Sequence, residues 1–364
     1  MATTEPVSTV TAIIRDDARL VAAELARELR PLAGTTLLLT GAGGFIGSYL
    51  LDVLAAVGRE GGGPPCHVVA LDNFRVGLPE RVQHLAGHPD IEFLSHDVTR
   101  PLPLERPVEW LIHAASIASP TFYRRFPLET IDVNVNGTWR LLELARRGAR
   151  SMLYLSSSEI YGDPAPGMIP TPEDYRGNVS CTGPRACYDE SKRLAETLCT
   201  TYFRTHRTPV KIMRPFNVYG PGQRLDDQRI IPDLMAAALA RRPSVLYSDG
   251  RATRSFCYVR DAIRAMLLVL VSAADGEAFN VGNDEEISMS ALAELMATIA
   301  APPRLAVEYR VSADEDYLAD NPQRRCPDLA KLRTRTGWRP EVRLADGLAR
   351  TLASYREAGP AEAR

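Results

Sequence analysis

Thr35-Thr-Leu-Leu-Leu-Thr40 runs without a break into Gly41-Ala-Gly-Gly-Phe-Ile-Gly47, and the reading of that junction decides the fold. A short, continuous apolar run reads as a strand buried on both faces of a parallel sheet. The glycines after it follow the spacing G-x-x-G-x-x-G, at Gly41, Gly44 and Gly47; the strict G-x-G-x-x-G form fails because Ile46 stands at its last position. The physics of both forms is the same. Small residues let the backbone turn tightly after a strand and approach a pyrophosphate, which then rests on the amides and positive end of the next helix, here residues 48–57. Phe45 and Ile46, inside the turn, join the three glycines as candidate cofactor contacts.

Working outward, His67-Val-Val-Ala-Leu71 reads as the second strand, beyond a Gly/Pro loop at residues 61–65, and stops at Asp72. A carboxylate there accepts hydrogen bonds from both ribose hydroxyls of a dinucleotide and repels a 2′-phosphate, so the cofactor expected is NAD. Arg75, three residues on, is the one residue nearby that argues for NADP. Asn73 completes this edge of the cofactor site. Asp97 and Val98, after another short apolar run at residues 91–94, are candidates for the adenine edge, although a turn aspartate has structural uses too.

Further apolar runs at residues 108–113, 152–156 and 210–213 alternate with helical patterns at 128–147 and 189–205. Strands alternating with helices imply right-handed crossovers, and the expected class is α/β: a doubly wound parallel (Rossmann) sheet. Past Arg214 the regularity fades. The organisation expected is an N-terminal helical extension over residues 1–34 and an NAD-binding Rossmann domain over 35–214. Residues 215–364 form mainly a smaller, substrate-binding C-terminal lobe, with some segments returning to the first domain. Within the extension, Ile13, Ile14, Leu20, Val21, Leu25 and Leu29 recur at helical spacing across residues 11–32, which reads as an amphipathic helix packed on its own domain.

Composition narrows the partners. The 364 residues are 45% hydrophobic and 24% charged, the balance of a globular chain. With 43 basic and 45 acidic residues the formal charge is −2, so neither a nucleic-acid footprint nor a polybasic membrane patch is expected. The six cysteines make no CxxC pair and the six histidines no H-x-x-H cluster, so no metal is expected and the thiols read as free in a reducing cytoplasm. Neither a secretion signal nor an 18-residue apolar span is apparent. One count stands out: Lys192, Lys211 and Lys331 are the only lysines, and all the other basic residues are arginine.

One of those lysines closes Tyr188-Asp-Glu-Ser-Lys192, which puts a phenol and an ammonium four residues apart on one helix face. A tyrosine is a poor base at neutral pH until a nearby cation stabilises its phenolate. Upstream, Leu155-Ser-Ser-Ser-Glu-Ile-Tyr-Gly162 closes a strand where a parallel sheet presents chemistry. Ser157 there can donate a hydrogen bond to a substrate oxygen while Tyr188 handles its proton, and Glu159 adds a carboxylate.

Glycine turn, Ser157, Tyr188 and Lys192 together resemble the extended short-chain dehydrogenase/reductase superfamily. More narrowly, Ser156-Ser-Ser-Glu-Ile-Tyr-Gly-Asp-Pro164, Gly183-Pro-Arg-Ala-Cys-Tyr-Asp-Glu190 and Asn321-Pro-Gln-Arg-Arg-Cys-Pro-Asp328 are similar to the UDP-glucuronic acid decarboxylases, or UDP-xylose synthases, over about residues 35–355. The resemblance implies Tyr188 as base, Lys192 as its electrostatic partner, Ser157 as hydroxyl relay, and Glu159 with Arg325 as the carboxylate-handling and protonation pair. It also implies a UDP-sugar held by Ser158, Arg185, Asn217, Arg229, Arg254 and Arg325, and a homodimer. This chain departs from the family in having Ser157 where threonine is usual and Cys326 where a basic residue is usual.

The implied chemistry is coherent. Oxidising the C4 hydroxyl of a hexuronic acid makes its C5 carboxylate part of a β-keto acid, which loses CO₂ once donors hold the developing enolate oxygen. Re-reduction gives UDP-xylose, and a ketone that escapes gives UDP-4-keto-xylose. A 4,6-dehydratase normally has an aspartate where Ser158 stands, and a 4-epimerase leaves Glu159 and Arg325 without a purpose. A non-enzymatic NAD(H)-sensing protein needs no Tyr/Lys pair, and a scaffold needs no glycine turn.

Overall fold

The computed structural model describes residues 10–60, 64–104, 106–300, 304–312 and 321–359. Seven parallel strands form the central sheet: β1 (Thr36–Thr40), β2 (His67–Asp72), β3 (Ile91–Ser95), β4 (Trp110–His113), β5 (Ser151–Leu155), β6 (Val210–Pro215) and β7 (Ala278–Val281). Their order is β7-β6-β5-β4-β1-β2-β3, so the chain reverses direction across the sheet between β1 and β4. A crevice opens at the carboxyl ends of strands at such a switch point. The central strands β1, β4 and β5 are buried on both faces, whereas the edge strand β3 is partly exposed. Leu37, Leu39 and Ile112 point into one apolar cluster, and Leu38, Leu111 and Tyr154 into another.

Eleven α-helices accompany the strands among the described residues. Those before residue 214 are α1 (Ala12–Glu24), α2 (Phe45–Glu60), α3 (Pro120–Arg125), α4 (Pro127–Asp132), α5 (Thr138–Ala145) and α6 (Ala186–His206). The others are α7 (Ile230–Leu239), α8 (Val259–Val271), α9 (Met289–Ile299), α10 (Ala330–Thr336) and α11 (Leu344–Ala358). The periodic stretch at 128–147 is thus broken in the middle, where Val133–Gly137 winds into a π-helical turn. Residues beyond 214 also make three small sheets of their own, the largest of which joins Glu286–Ser288, Thr253–Ser255 and Arg324–Arg325. A separate apolar cluster around Leu234, Met235, Leu246, Leu292, Met296 and Leu352 holds this part together. Of the Gly/Pro loop, residues 61–63 lie outside the described residues, as do residues 1–9 of the extension.

The N-terminal helix is shorter than its apolar pattern predicts. Thr11 caps it, but α1 ends at Glu24, and a turn leads into the short helix Arg30–Leu32. Pro31 keeps the short helix from continuing as an α-helix, but it lies seven residues past Glu24 and does not set the end of α1. The apolar stripe still works: Ile14, Val21, Leu25 and Leu29 are buried against α2 and α8, whereas Leu20 faces solvent. Polar anchors tie the helix to α11. Thr11 and Ser354 share a hydroxyl hydrogen bond of 2.7 Å, the Ala12 amide donates to Glu357 at 2.8 Å, and buried Asp17 accepts from Arg350 at 2.7 Å and from the Tyr258 hydroxyl at 2.6 Å.

Candidate active site

At the switch point lies a cavity of about 490 Å³. Its floor is the glycine turn. Gly41 has φ +74°, and a Cβ on Gly47 would sit 1.9 Å from the Gly41 carbonyl oxygen, so neither position admits another residue. The turn delivers the amides of Phe45 and Ile46 to the start of α2, where an anion is attracted by unpaired N–H groups and the helix dipole. Asp72, at the end of β2, braces the turn: its carboxylate accepts the Gly43 amide at 2.8 Å and the Phe74 amide at 2.7 Å. Burial raises its pKa, and those amides pull the other way. A carboxylate has about four acceptor sites, so Asp72 retains capacity for a ribose hydroxyl beyond the amides that hold it.

Asn73 and Asp97 are brought together at the cavity edge by a 3.1 Å hydrogen bond, beside Val98. Burial alone would raise the Asp97 carboxyl, but the Thr99 amide and hydroxyl and the Asn73 amide outweigh it and hold the pKa down. Arg75 lines the same edge of the cavity but is already paired. Its guanidinium pairs with Glu129 at 3.2 Å and lies over the Phe126 ring, so the cation that argued for a 2′-phosphate already has a carboxylate. The cradle fits NAD.

Farther along the cavity, α6 places Tyr188 and Lys192 on its buried face. The Tyr188 ring stacks on Tyr123, with centroids 5.1 Å apart and planes 12° from parallel. Lys192 donates to the Leu155 carbonyl at 2.6 Å, and its Nζ lies 5.8 Å from the Tyr188 ring centroid. Burial pushes the phenol up to about 12, against the pull of a hydrogen bond with Ser157, and draws the ammonium down to about 7. Ser157 leaves β5 in extended backbone, and its Oγ also accepts the Glu159 amide at 3.2 Å. Ser158 is buried in the same wall.

Glu159 stands between two arginines. Arg325 grips both its carboxylate oxygens, with Nη2 at 2.7 Å, and Arg185 donates to Oε2 at 2.5 Å. Burial would raise this carboxyl, but Arg185 and Arg325 prevail and hold its pKa at about 2. Behind them Arg254 pairs in strand register with Arg325 and spends its donors on the Thr253 and Pro322 carbonyls and on Asn321. Arg254 and Arg325 back the wall and do not line the cavity, whereas Asn217, with φ +38°, and Arg229, 2.7 Å from Asp227, do.

Several wall residues escaped the sequence reading. Tyr123 is one; another is the relay Ser116–Asn134–Ser191, with hydrogen bonds of 2.8 and 2.9 Å, whose last hydroxyl donates to the Tyr188 carbonyl and so steadies the reactive end of α6. Only Ser116 carried a signal, at the strand end His113-Ala-Ala-Ser116, since every strand of a parallel sheet delivers residues to the same edge; Tyr123, Asn134 and Ser191 lie on helical segments elsewhere in the chain. Among the described residues no three His, Cys, Asp or Glu side chains gather in a way that could hold a metal ion, and no helix is long and apolar enough to cross a membrane.

Residues 37–282 match the NAD dependent epimerase/dehydratase family. UDP-glucuronic acid decarboxylase 3 of Arabidopsis thaliana is 40% identical over 312 residues, which cover 86% of each chain. Among solved structures, UDP-glucuronic acid 4-epimerase from Bacillus cereus, in complex with UDP-glucuronic acid and NAD, superposes with a TM-score of 0.74 at 26% identity, covering 88% of this chain and 98% of that one. DesIV, a dTDP-glucose 4,6-dehydratase from Streptomyces venezuelae with NAD bound, gives 0.76 at 27% identity, covering 89% and 97%.

Proposed function

The chain belongs to the NAD-dependent epimerase/dehydratase family, and on that premise we propose that it decarboxylates UDP-glucuronic acid with NAD as cofactor. The observation that carries this reading is the clasp of Glu159 by Arg185 and Arg325 beside the pair Tyr188 and Lys192. One group of residues suits a sugar hydroxyl, and the other suits a carboxylate next to it.

When bound on the glycine turn, NAD supplies a hydride acceptor and donor. Tyr188 takes the C4 hydroxyl proton, with Lys192 stabilising the phenolate and Ser157 donating to O4. Arg185, which lines the cavity, orients the C5 carboxylate, and Arg325 acts on it through Glu159; the carboxylate leaves as CO₂ once O4 is a ketone. The electron pair moves into an enolate held by Ser157 and Tyr188. Glu159 and Arg325 manage the proton that returns to C5, and re-reduction at C4 gives UDP-xylose. Asn217 and Arg229 hold the nucleotide diphosphate, and Arg254 serves that site through Arg325. Dehydration is disfavoured by Ser158, which offers no acid for a departing C6 hydroxyl, and 4-epimerisation gives the arginine clasp no task.

Incubation with UDP-glucuronate and NAD is expected to release CO₂ and to yield UDP-xylose, UDP-4-keto-xylose or both, read by trapped CO₂ and chromatography of the nucleotides. Turnover of UDP-glucose to a 4-keto-6-deoxy sugar, or UDP-galacturonate without CO₂, would transfer the chain to the dehydratases or epimerases.

The reading includes a cytoplasmic homodimer. Six unpaired cysteines suit a reducing compartment. Leu128 and Ile131 on α4, Trp139 on α5 and Leu194 on α6 are exposed apolar side chains on neighbouring helices, the kind of face a second copy covers. Light scattering is expected to give the mass of two chains, and Leu128→Glu with Leu194→Glu the mass of one; an unchanged mass removes this face from the interface.

A further inference from the structure

One buried cation in the cofactor wall has no task so far. Arg81 is 3% exposed, yet it lines the cavity together with the glycine turn and Gly222. Its Nη2 donates to the Ser48 hydroxyl at 3.0 Å and lies 3.7 Å from the Asp52 carboxylate, which His84 also holds at 2.6 Å. The Tyr49 ring sits 5.7 Å from the guanidinium carbon. Nε and Nη1 are buried with no hydrogen-bond partner among the described residues. A buried guanidinium with two idle donors and one long ion pair is under-satisfied, and such a group is costly unless something completes it.

Position names the missing partner. The Leu78 amide bonds to Gly43 at 2.9 Å, and Arg81 follows in the next turn, its amide on the Leu78 carbonyl at 3.1 Å. Ser48, which aims the guanidinium, has its own amide on the Gly44 carbonyl at 2.9 Å. The cation is therefore fixed beside the first turn of α2, where a dinucleotide's diphosphate is drawn by the helix amides. Gly222 supplies the room on the other side, since a Cβ there would lie 2.8 Å from Nε.

We propose that Arg81 is a cofactor-holding residue whose Nε and Nη1 hydrogen-bond the diphosphate of NAD. A guanidinium presents such donors in a fixed fork that matches phosphate oxygens, and bonds of this kind are charge-assisted. The assignment rests on NAD as cofactor and is independent of which sugar is transformed.

Calorimetric titration of the full chain with NADH, ADP and adenosine tests it without any sugar substrate. Arg81→Met is expected to weaken NADH and ADP about 10- to 100-fold, with adenosine, which lacks the diphosphate, bound as before. Arg81→Gln keeps a polar group beside Ser48 and is read by the same criterion should the methionine variant not fold. Unchanged ADP affinity overturns the proposal. So do equal losses for ADP and adenosine, which mark a residue that only supports the fold.

Discussion

Tyr188→Phe is expected to abolish NADH formation in a single turnover with UDP-glucuronate and to lower the steady-state rate by about 10²- to 10⁴-fold, the range a positioned acid or base supplies. The substitution is clean because the phenyl ring keeps its stack on Tyr123, so the wall it helps to build stays in place. What goes is the oxygen that Ser157 engages and that Lys192 faces. In the cofactor-free chain that phenol lies at about 12 and is protonated throughout the neutral range. A bound NAD would place a positive ring near this phenol and so favour its phenolate, in keeping with the proposed base role of Tyr188. NADH fluorescence after mixing, with circular dichroism as the check on folding, decides the matter; hydride transfer at the original rate would take Tyr188 out of the base role.

Arg325→Met separates the two halves of the reaction. The residue is buried behind Glu159 and outside the cavity wall, so its loss leaves the glycine turn, Tyr188 and Lys192 untouched. CO₂ release is expected to fall about 10²- to 10³-fold, as for the loss of one preorganised donor, while NADH still forms in the first turnover. Equal losses in both steps would make Arg325 a positioning residue for the whole site. The variant also has a signature in acid. Glu159 is held at about 2, below the ordinary glutamate range near 4.5, so its clasp stabilises the fold fully above that range, and the contribution is lost as pH falls toward 2. Arg325→Met brings the carboxyl back toward its ordinary range, and thermal denaturation between pH 5 and pH 3 is expected to lose part of its steepness.

Local chemistry was the legible part of this site. Gly41 is required by the positive φ of a local turn and Gly47 by its approach to the Gly41 carbonyl, and Tyr188 and Lys192 are spaced by a single helix, so both patterns survive in the linear order. Ser157 and Asp72 close apolar runs, and strand ends mark the functional edge of a parallel sheet. Residues that act through distant partners left no such trace. Arg325 meets Glu159 across 166 positions, and only a resemblance could pair them; Arg254 reads as a phosphate ligand until the strand pairing places it behind Arg325. Arg81 belongs to no motif that separates it from the many other arginines of the chain. The end of α1 shows the opposite failure, since the apolar stripe continues to Leu29 across a backbone that leaves the helix at Glu24.

The polar anchors of α1 carry a consequence for biosynthesis. Thr11, Ala12 and Asp17 find Ser354, Glu357 and Arg350 across more than 330 positions. On a ribosome, where a chain emerges from its N-terminus onward, α1 is among the first helices made, and α2 becomes available soon after to cover Ile14 and Val21. Its attachment to α11 has to wait until the last described helix is released. Docking of α11 is therefore a late step relative to α1, and a chain lacking residues 344–358 would leave the first helix half-docked and Asp17 buried without Arg350.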